Sequence, residues 1–379
     1  MHRAALTVAL LLTTLWAPGC RHNGRAGGAG PTAPPVPPPT PPPAMAVVEG
    51  SLVGLFNASS GFPLVSEDFS QSIVRIDSVS SDQPYSPPPT SEVSAANTFR
   101  IEEVPVERVV ATVSGPNHLD RKMIWEIQQG RNTFEDVDLV NGGDFPLRAF
   151  DSMFREVNGS AIGLLRWVAE ARIVVVSPNI STSVVEAAVR ELTALTGGGW
   201  AASVEARAPT PDERGAIEAG CDFSGPMPRG KIFVGQGLND EAYTCTVDGV
   251  PGTSPTRNRE IGWARVRVQN TPQSIRHGLG HAAGAVHPCT GGPDPPSVLG
   301  GSCGHYANEP AESWTDFDRQ VFLLAYSRPA GTSSPDDTTS VETMTGTVTQ
   351  SESAAASELV PAPPSGHASG PRSTGSPPE

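Results

Sequence analysis

The chain has 379 residues, enough for two ordinary domains. A formal net charge of −14 gives no electrostatic reason to seek nucleic acid or an anionic membrane surface. No apolar run reaches the ~18 residues of a spanning helix, and the 39 glycines follow no collagen period. Pro and Gly, 39 each, concentrate in segments that read as linker and tail, leaving ordinary composition for the folded parts.

In chain order, residues 1–20 read as a secretory signal: a short basic start at Arg3, then apolar residues from Ala4 to Trp16. The ending Ala17-Pro18-Gly19-Cys20 resembles a bacterial lipoprotein signal, which implies acylation of Cys20 and anchorage in the cell envelope. Ala17 and Gly19 also suit ordinary signal cleavage, which leads to free secretion. Residues 21–46 are a Pro-rich tether of polyproline II type. Residues 47–135 carry short β-rich runs at 51–56, 73–76, 98–101 and 106–113, separated by Gly, Pro and Ser clusters. They predict a small β-sandwich module. Its phrase from Phe99 to Pro105 resembles a transthyretin-like or carboxypeptidase-regulatory-like module.

Residues 136–164 read as a connector with one helix over 146–156. From 165 to 330 strand and helix patterns mix. Strands are expected at 171–176, 202–206, 231–235 and 261–268, and helices at 181–196, 271–283 and 315–326, giving an α+β domain. Residues 331–379 are mostly Ser, Thr, Pro, Gly and Ala without aromatics. They predict a disordered tail, because so little apolar surface cannot offset the entropy of ordering.

The chemistry concentrates in the segment from His277 to His287. Thr271 is a good N-cap and Pro272 suits the first helical position, so a helix starts there. His277 and His281 are then four apart on one face. Gly284 can leave the helix in a left-handed conformation and bring His287 back as a third ligand. Three neutral imidazoles with an open position make a catalytic-type zinc site, although imidazole also suits copper, nickel and iron. The glycines are costly in a helix, at about 1 kcal/mol each relative to Ala, so packing or metal must compensate.

His277, His281, Gly284 and His287 match the H-E-x-x-H-x-x-G-x-x-H pattern of the metzincin zinc metallopeptidases, and the segment most resembles matrixin-like bacterial members. The resemblance covers roughly 165–330. It implies a metzincin-like domain, a Zn2+ cofactor and a polypeptide substrate, cleaved with zinc polarising the scissile carbonyl and acidifying a bound water. Two departures limit it. Gly278 stands where the family has its general-base Glu, and losing such a base costs about 10²–10⁴-fold in rate. Glu260, Glu309 and Glu312 are possible substitutes. The methionine of the turn beneath the metal is missing too: Leu299, in Ser297-Val298-Leu299, is the candidate for its place, and a second alignment puts Gly304 there, beside His305 and Tyr306.

Of the five cysteines, acylation removes Cys20 and leaves Cys221, Cys245, Cys289 and Cys303 for two disulfides. Three pairings exist, and proximity favours Cys221–Cys245 with Cys289–Cys303. The expected protein is therefore a secreted or envelope-anchored peptidase-like domain of impaired activity, touching membrane only through a lipid at Cys20. The alternative is a non-catalytic relative that holds a polypeptide without cutting it.

Overall fold

The computed structural model describes residues 44–57, 67–79, 84–142, 145–157, 160–249, 251–252, 259–290, 294–300, 302–303, 306–307, 309–337 and 343–350, all within the unit Pro43–Glu379. The signal, Cys20 and nearly all of the tether lie outside the described residues. Among those described, no helix is long and apolar enough to cross a membrane.

Seven strands come first: β1 (Met45–Gly54), β2 (Ile73–Ser78), β3 (Thr90–Glu92), β4 (Thr98–Pro105), β5 (Arg108–Ser114), β6 (Arg121–Glu126) and β7 (Arg131–Leu139). Alternation explains the packing. Val74 and Ile76 of β2, Phe99 and Ile101 of β4, and Met123 and Trp125 of β6 point inward between exposed neighbours. The inward sets of two sheets share one core, in which Trp125 stacks on Phe134 at 4.1 Å and on Phe99 at 5.9 Å. The alternation in β6 was present in the sequence although no strand was expected there.

The expected tail requires correction. Thr332 and Asp336 are fully buried, and β17 (Met344–Thr345) and β18 (Thr347–Thr349) extend both sheets by pairing with β6 and β7. Composition misled because these residues bury no core of their own. They are held by a buried polar cluster and by the free edges of existing sheets. Arg328 grips Asp336 through two hydrogen bonds of 2.8 and 3.0 Å and also pairs with Asp138, which pairs with Arg121 at 2.6 Å. Residues 351–379 lie outside the described residues.

Burial pushes the Asp138 carboxyl up, but Arg328 and Arg121 outweigh it and hold the group at about 2. An unfolded Asp titrates near 3.9, so the folded state favours the ionised form. That stabilisation is complete above about pH 4 and is lost as pH falls toward 2. Asp138→Asn is expected to cost about 2 kcal/mol at pH 7. Melting curves at pH 7 and pH 2 check this, because the gap between variant and parent should close at the lower pH.

After the sandwich come α1 (Leu147–Phe154) and a small hairpin, β8 (Glu156–Val157) and β9 (Ser160–Ala161). The second part continues with β10 (Ala171–Val175), α2 (Thr182–Leu195), β11 (Ala202–Ala206), α3 (Pro211–Ala219), β12 (Lys231–Gln236), β13 (Glu241–Thr246), β14 (Ile261–Val268), α4 (Pro272–Ala282), β15 (Ser302–Cys303), β16 (Tyr306–Ala307) and α5 (Asp316–Ser327). The main sheet runs β11-β10-β12-β14-β13, parallel except for β13, which lies antiparallel at the edge. Successive residues serve opposite faces. Ile173, Val175, Ile232 and Val234 pack with Val185 and Leu192 of α2, Ile275 and Leu279 of α4, and Phe322 of α5. Val174, Phe233 and Trp263 pack on the other face with Ala216 of α3 and the Cys221–Cys245 disulfide.

The chain is thus a mixed α/β protein with several sheets, of general α+β class. Among the described residues, β13, α3 and the short pair β15 and β16 have no counterpart among the expected elements. The strand β13 is mostly polar, and α3 has little apolar periodicity. The start of α3 was nonetheless legible as a capping box, formed by Thr210 and Glu213 around Pro211.

Candidate metal centre

Helix α4 begins as the sequence predicts. The Thr271 hydroxyl accepts the Ser274 amide at 3.2 Å, and Pro272 follows the cap. The helix compensates for its glycines by close docking. A methyl group on Gly278 would lie 2.5 Å from Cγ1 of Val268 in β14, and one on Gly280 would lie 2.9 Å from Cδ2 of Leu299. Gly284 has φ +102°, and a methyl group there would lie 2.4 Å from the Leu165 carbonyl oxygen. The left-handed exit of the chain and the contact behind it both demand glycine.

The turn at Gly284 carries the chain to His287. The Val286 amide donates to the Met153 carbonyl and the Cys289 amide to the Ser152 hydroxyl, both at 2.9 Å. The third histidine is therefore placed by α1, inside the segment that read as a connector. Behind the helix, the Trp167 indole donates to the Ala282 carbonyl at 2.7 Å.

The three imidazoles converge. Their Nε2 atoms lie 3.0 Å (His277–His281), 3.1 Å (His281–His287) and 3.5 Å (His277–His287) apart. Nδ1 of His277 donates to the Val298 carbonyl at 2.9 Å, and Nδ1 of His281 donates to the Ala285 carbonyl at 2.8 Å. Those bonds place the proton on Nδ1 and leave a lone pair on each facing Nε2. Two lone pairs 3.0 Å apart repel unless a cation sits between them. Ligands at about 2.0–2.1 Å in a tetrahedron stand about 3.3–3.4 Å apart, which the three separations bracket. Burial, then the charges of His277 and His287, holds His281 down at about 3 against its bond to Ala285. Burial and then His277 also lower His287. Neutral imidazole is the ligating form. The cluster can hold a metal ion.

Beneath His277 lies the turn Ser297-Val298-Leu299, all buried. Leu299 sits against Gly280, so the first alignment of that turn coincides with the contact under the helix. Asp318 fixes the turn: its carboxylate accepts from the Ser297 hydroxyl at 2.5 Å and the Val298 amide at 3.0 Å. It also accepts the Thr315 amide at 2.9 Å, completing a capping box at the start of α5. A helix cap thereby orients the carbonyl that orients His277, the kind of support outer partners give to metal sites. Gly304 and His305 lie outside the described residues. Of the cysteines, Cys221 and Cys245 are joined as proximity favoured, with Cα atoms 5.6 Å apart. Cys289 is also in a disulfide. The side chain of Cys303 lies outside the described residues.

A cavity of about 550 Å³ opens beside the histidines, lined by His281, His287 and residues 240–244 of β13 and its approach. Its carboxylates are Glu156, Asp240 and Glu241. Glu260, Glu309 and Glu312 do not line it. Sequence reasoning missed Asp240 and Asp318, because only the fold brings either to the site. Against known proteins, the chain matches no family model and no curated sequence.

Proposed function

We propose that the chain is a secreted or envelope-anchored, metzincin-like zinc protein whose cavity takes a polypeptide segment. The observation that carries this reading is the convergence of three Nε2 atoms at tetrahedral ligand spacing, two of them with Nδ1 committed to carbonyls. His277, His281 and His287 would hold the ion. A zinc ion bound there supplies Lewis-acid polarisation of a carbonyl and acidifies water. The protein's own part is positional. Val298 and Ala285 hold two rings, α1 holds the loop of the third, and β13 lines the wall along which an extended chain lies.

Purified mature protein is expected to bind one zinc per chain and to hydrolyse an unstructured protein slowly, with loss of activity on chelation. Metal analysis by mass spectrometry and a quenched-fluorescence protein substrate check this. The bare backbone at Gly278 favours a second reading, retention of a polypeptide without cleavage. Stoichiometric zinc, no hydrolysis and saturable peptide binding would select that reading. A chain that binds no zinc removes both.

A further inference from the structure

We infer that Asp240 supplies the carboxylate that α4 lacks at Gly278 and acts as the base for hydrolysis; the inference rests on the catalytic reading above. Asp240 lines the same cavity as His281 and His287. Its carboxylate accepts a hydrogen bond from the Ser274 hydroxyl. Ser274 is itself buried and fixed, accepting the Gln269 amide at 2.7 Å and donating its own amide to Thr271 at 3.2 Å. In α4, Ser274 precedes His277 by three residues and Gly278 by four, so it adjoins each of them on the helix surface, with Gly278 on the side toward β14. Asp240 is thus anchored one turn before Gly278, which contributes no side chain.

The other cavity carboxylates are engaged by cations: Glu156 pairs with Arg148, and Glu241 with Arg267 at 3.4 Å. Among the described residues, Asp240 has no cationic partner. Nor does it belong to the ligand group, whose atoms lie within 4.8 Å of one another. It stands on the wall of the cavity that His281 and His287 also line. In the reaction, the Asp240 carboxylate takes a proton from the attacking water as the water oxygen bonds to the peptide carbonyl carbon. When the C–N bond breaks, the electron pair leaves with nitrogen, and the Asp240 carboxyl returns the proton to the departing amine.

Asp240→Asn is the test, because the amide keeps an oxygen for Ser274 while losing the base. In the zinc-loaded mature protein, kcat is expected to fall at least about 100-fold with KM and zinc affinity unchanged. A second readout needs no turnover. Acetohydroxamic acid gives up its hydroxyl proton to a nearby base when it chelates a metal, so its affinity, read by calorimetry, should fall about tenfold or more in Asp240→Asn. Ser274→Ala should lower kcat by a smaller factor and leave zinc affinity intact, as expected for a positioning residue. Equal kcat and equal hydroxamate affinity in parent and Asp240→Asn, with zinc bound in both, would overturn this inference alone. A zinc-loaded parent that hydrolyses nothing would overturn it too, leaving the polypeptide-binding reading. A parent that binds no zinc would overturn it together with the proposed function.

Discussion

Replacing His281 with alanine is expected to lower zinc affinity by more than about 100-fold, beyond what loss of an outer-shell partner costs. His281 is the common neighbour, 3.0 Å from the His277 Nε2 and 3.1 Å from that of His287. Without it, the remaining pair is 3.5 Å apart and lacks a third donor. The metal-free protein should lose little stability, because removal of the ring relieves the facing lone pairs. The parent should melt at higher temperature when zinc is added, and the variant should not, because only the state that binds the ion is stabilised. Competition against a chromophoric chelator, with calorimetry in zinc and in chelator, separates the two effects. Unchanged zinc affinity would mean that the cluster is not the metal site.

Gly278→Glu, the change that would complete the H-E-x-x-H-x-x-G-x-x-H pattern, is expected to destabilise the protein by about 3 kcal/mol rather than simply to confer activity. The Cβ alone would lie 2.5 Å from Val268 Cγ1 and 3.5 Å from Val266 Cβ. The helix has settled on β14 at a distance that only glycine permits. Gly278→Ala isolates that conflict and should cost about 1–3 kcal/mol. Val268→Ala removes the offending methyl groups, so the two changes should couple. Together they should cost less than the sum of the singles, by about 1 kcal/mol or more in a double-mutant cycle. Gly278→Glu with Val268→Ala is then the variant expected to gain hydrolysis. Denaturant melts of the four proteins in the alanine cycle measure the coupling. Strict additivity would show that Val268 and residue 278 do not compete for space.

The start of α4 and the spacing of its histidines could be read directly, because caps and i,i+4 faces are local properties of a helix. Strands β10, β12 and β14, with nearly continuous apolar runs, were legible for the same reason, although the alternation in β6 was not read as a strand. The edge strand β13 was not. Its residues are mostly polar, and its place follows from pairing with β14, a partner distant in sequence. Residues 344–349 were read as tail because their order comes from the unpaired edges of β6 and β7.

The sequence by itself determined the three histidines that can hold a metal ion, the glycine at 284 and the absence of a carboxylate on the helix, since each depends on residue type at fixed spacing within one short segment. Only the tertiary structure decided which side chains surround the three histidines. Ser152 and Met153 of α1 set the His287 loop, Asp318 sets the turn under His277, and Asp240 enters the cavity from the approach to β13. Val268 occupies the space that a side chain at position 278 would need. These partners lie as far as 137 residues apart in the chain. Their meeting depends on sheet order and helix docking, which no local pattern encodes.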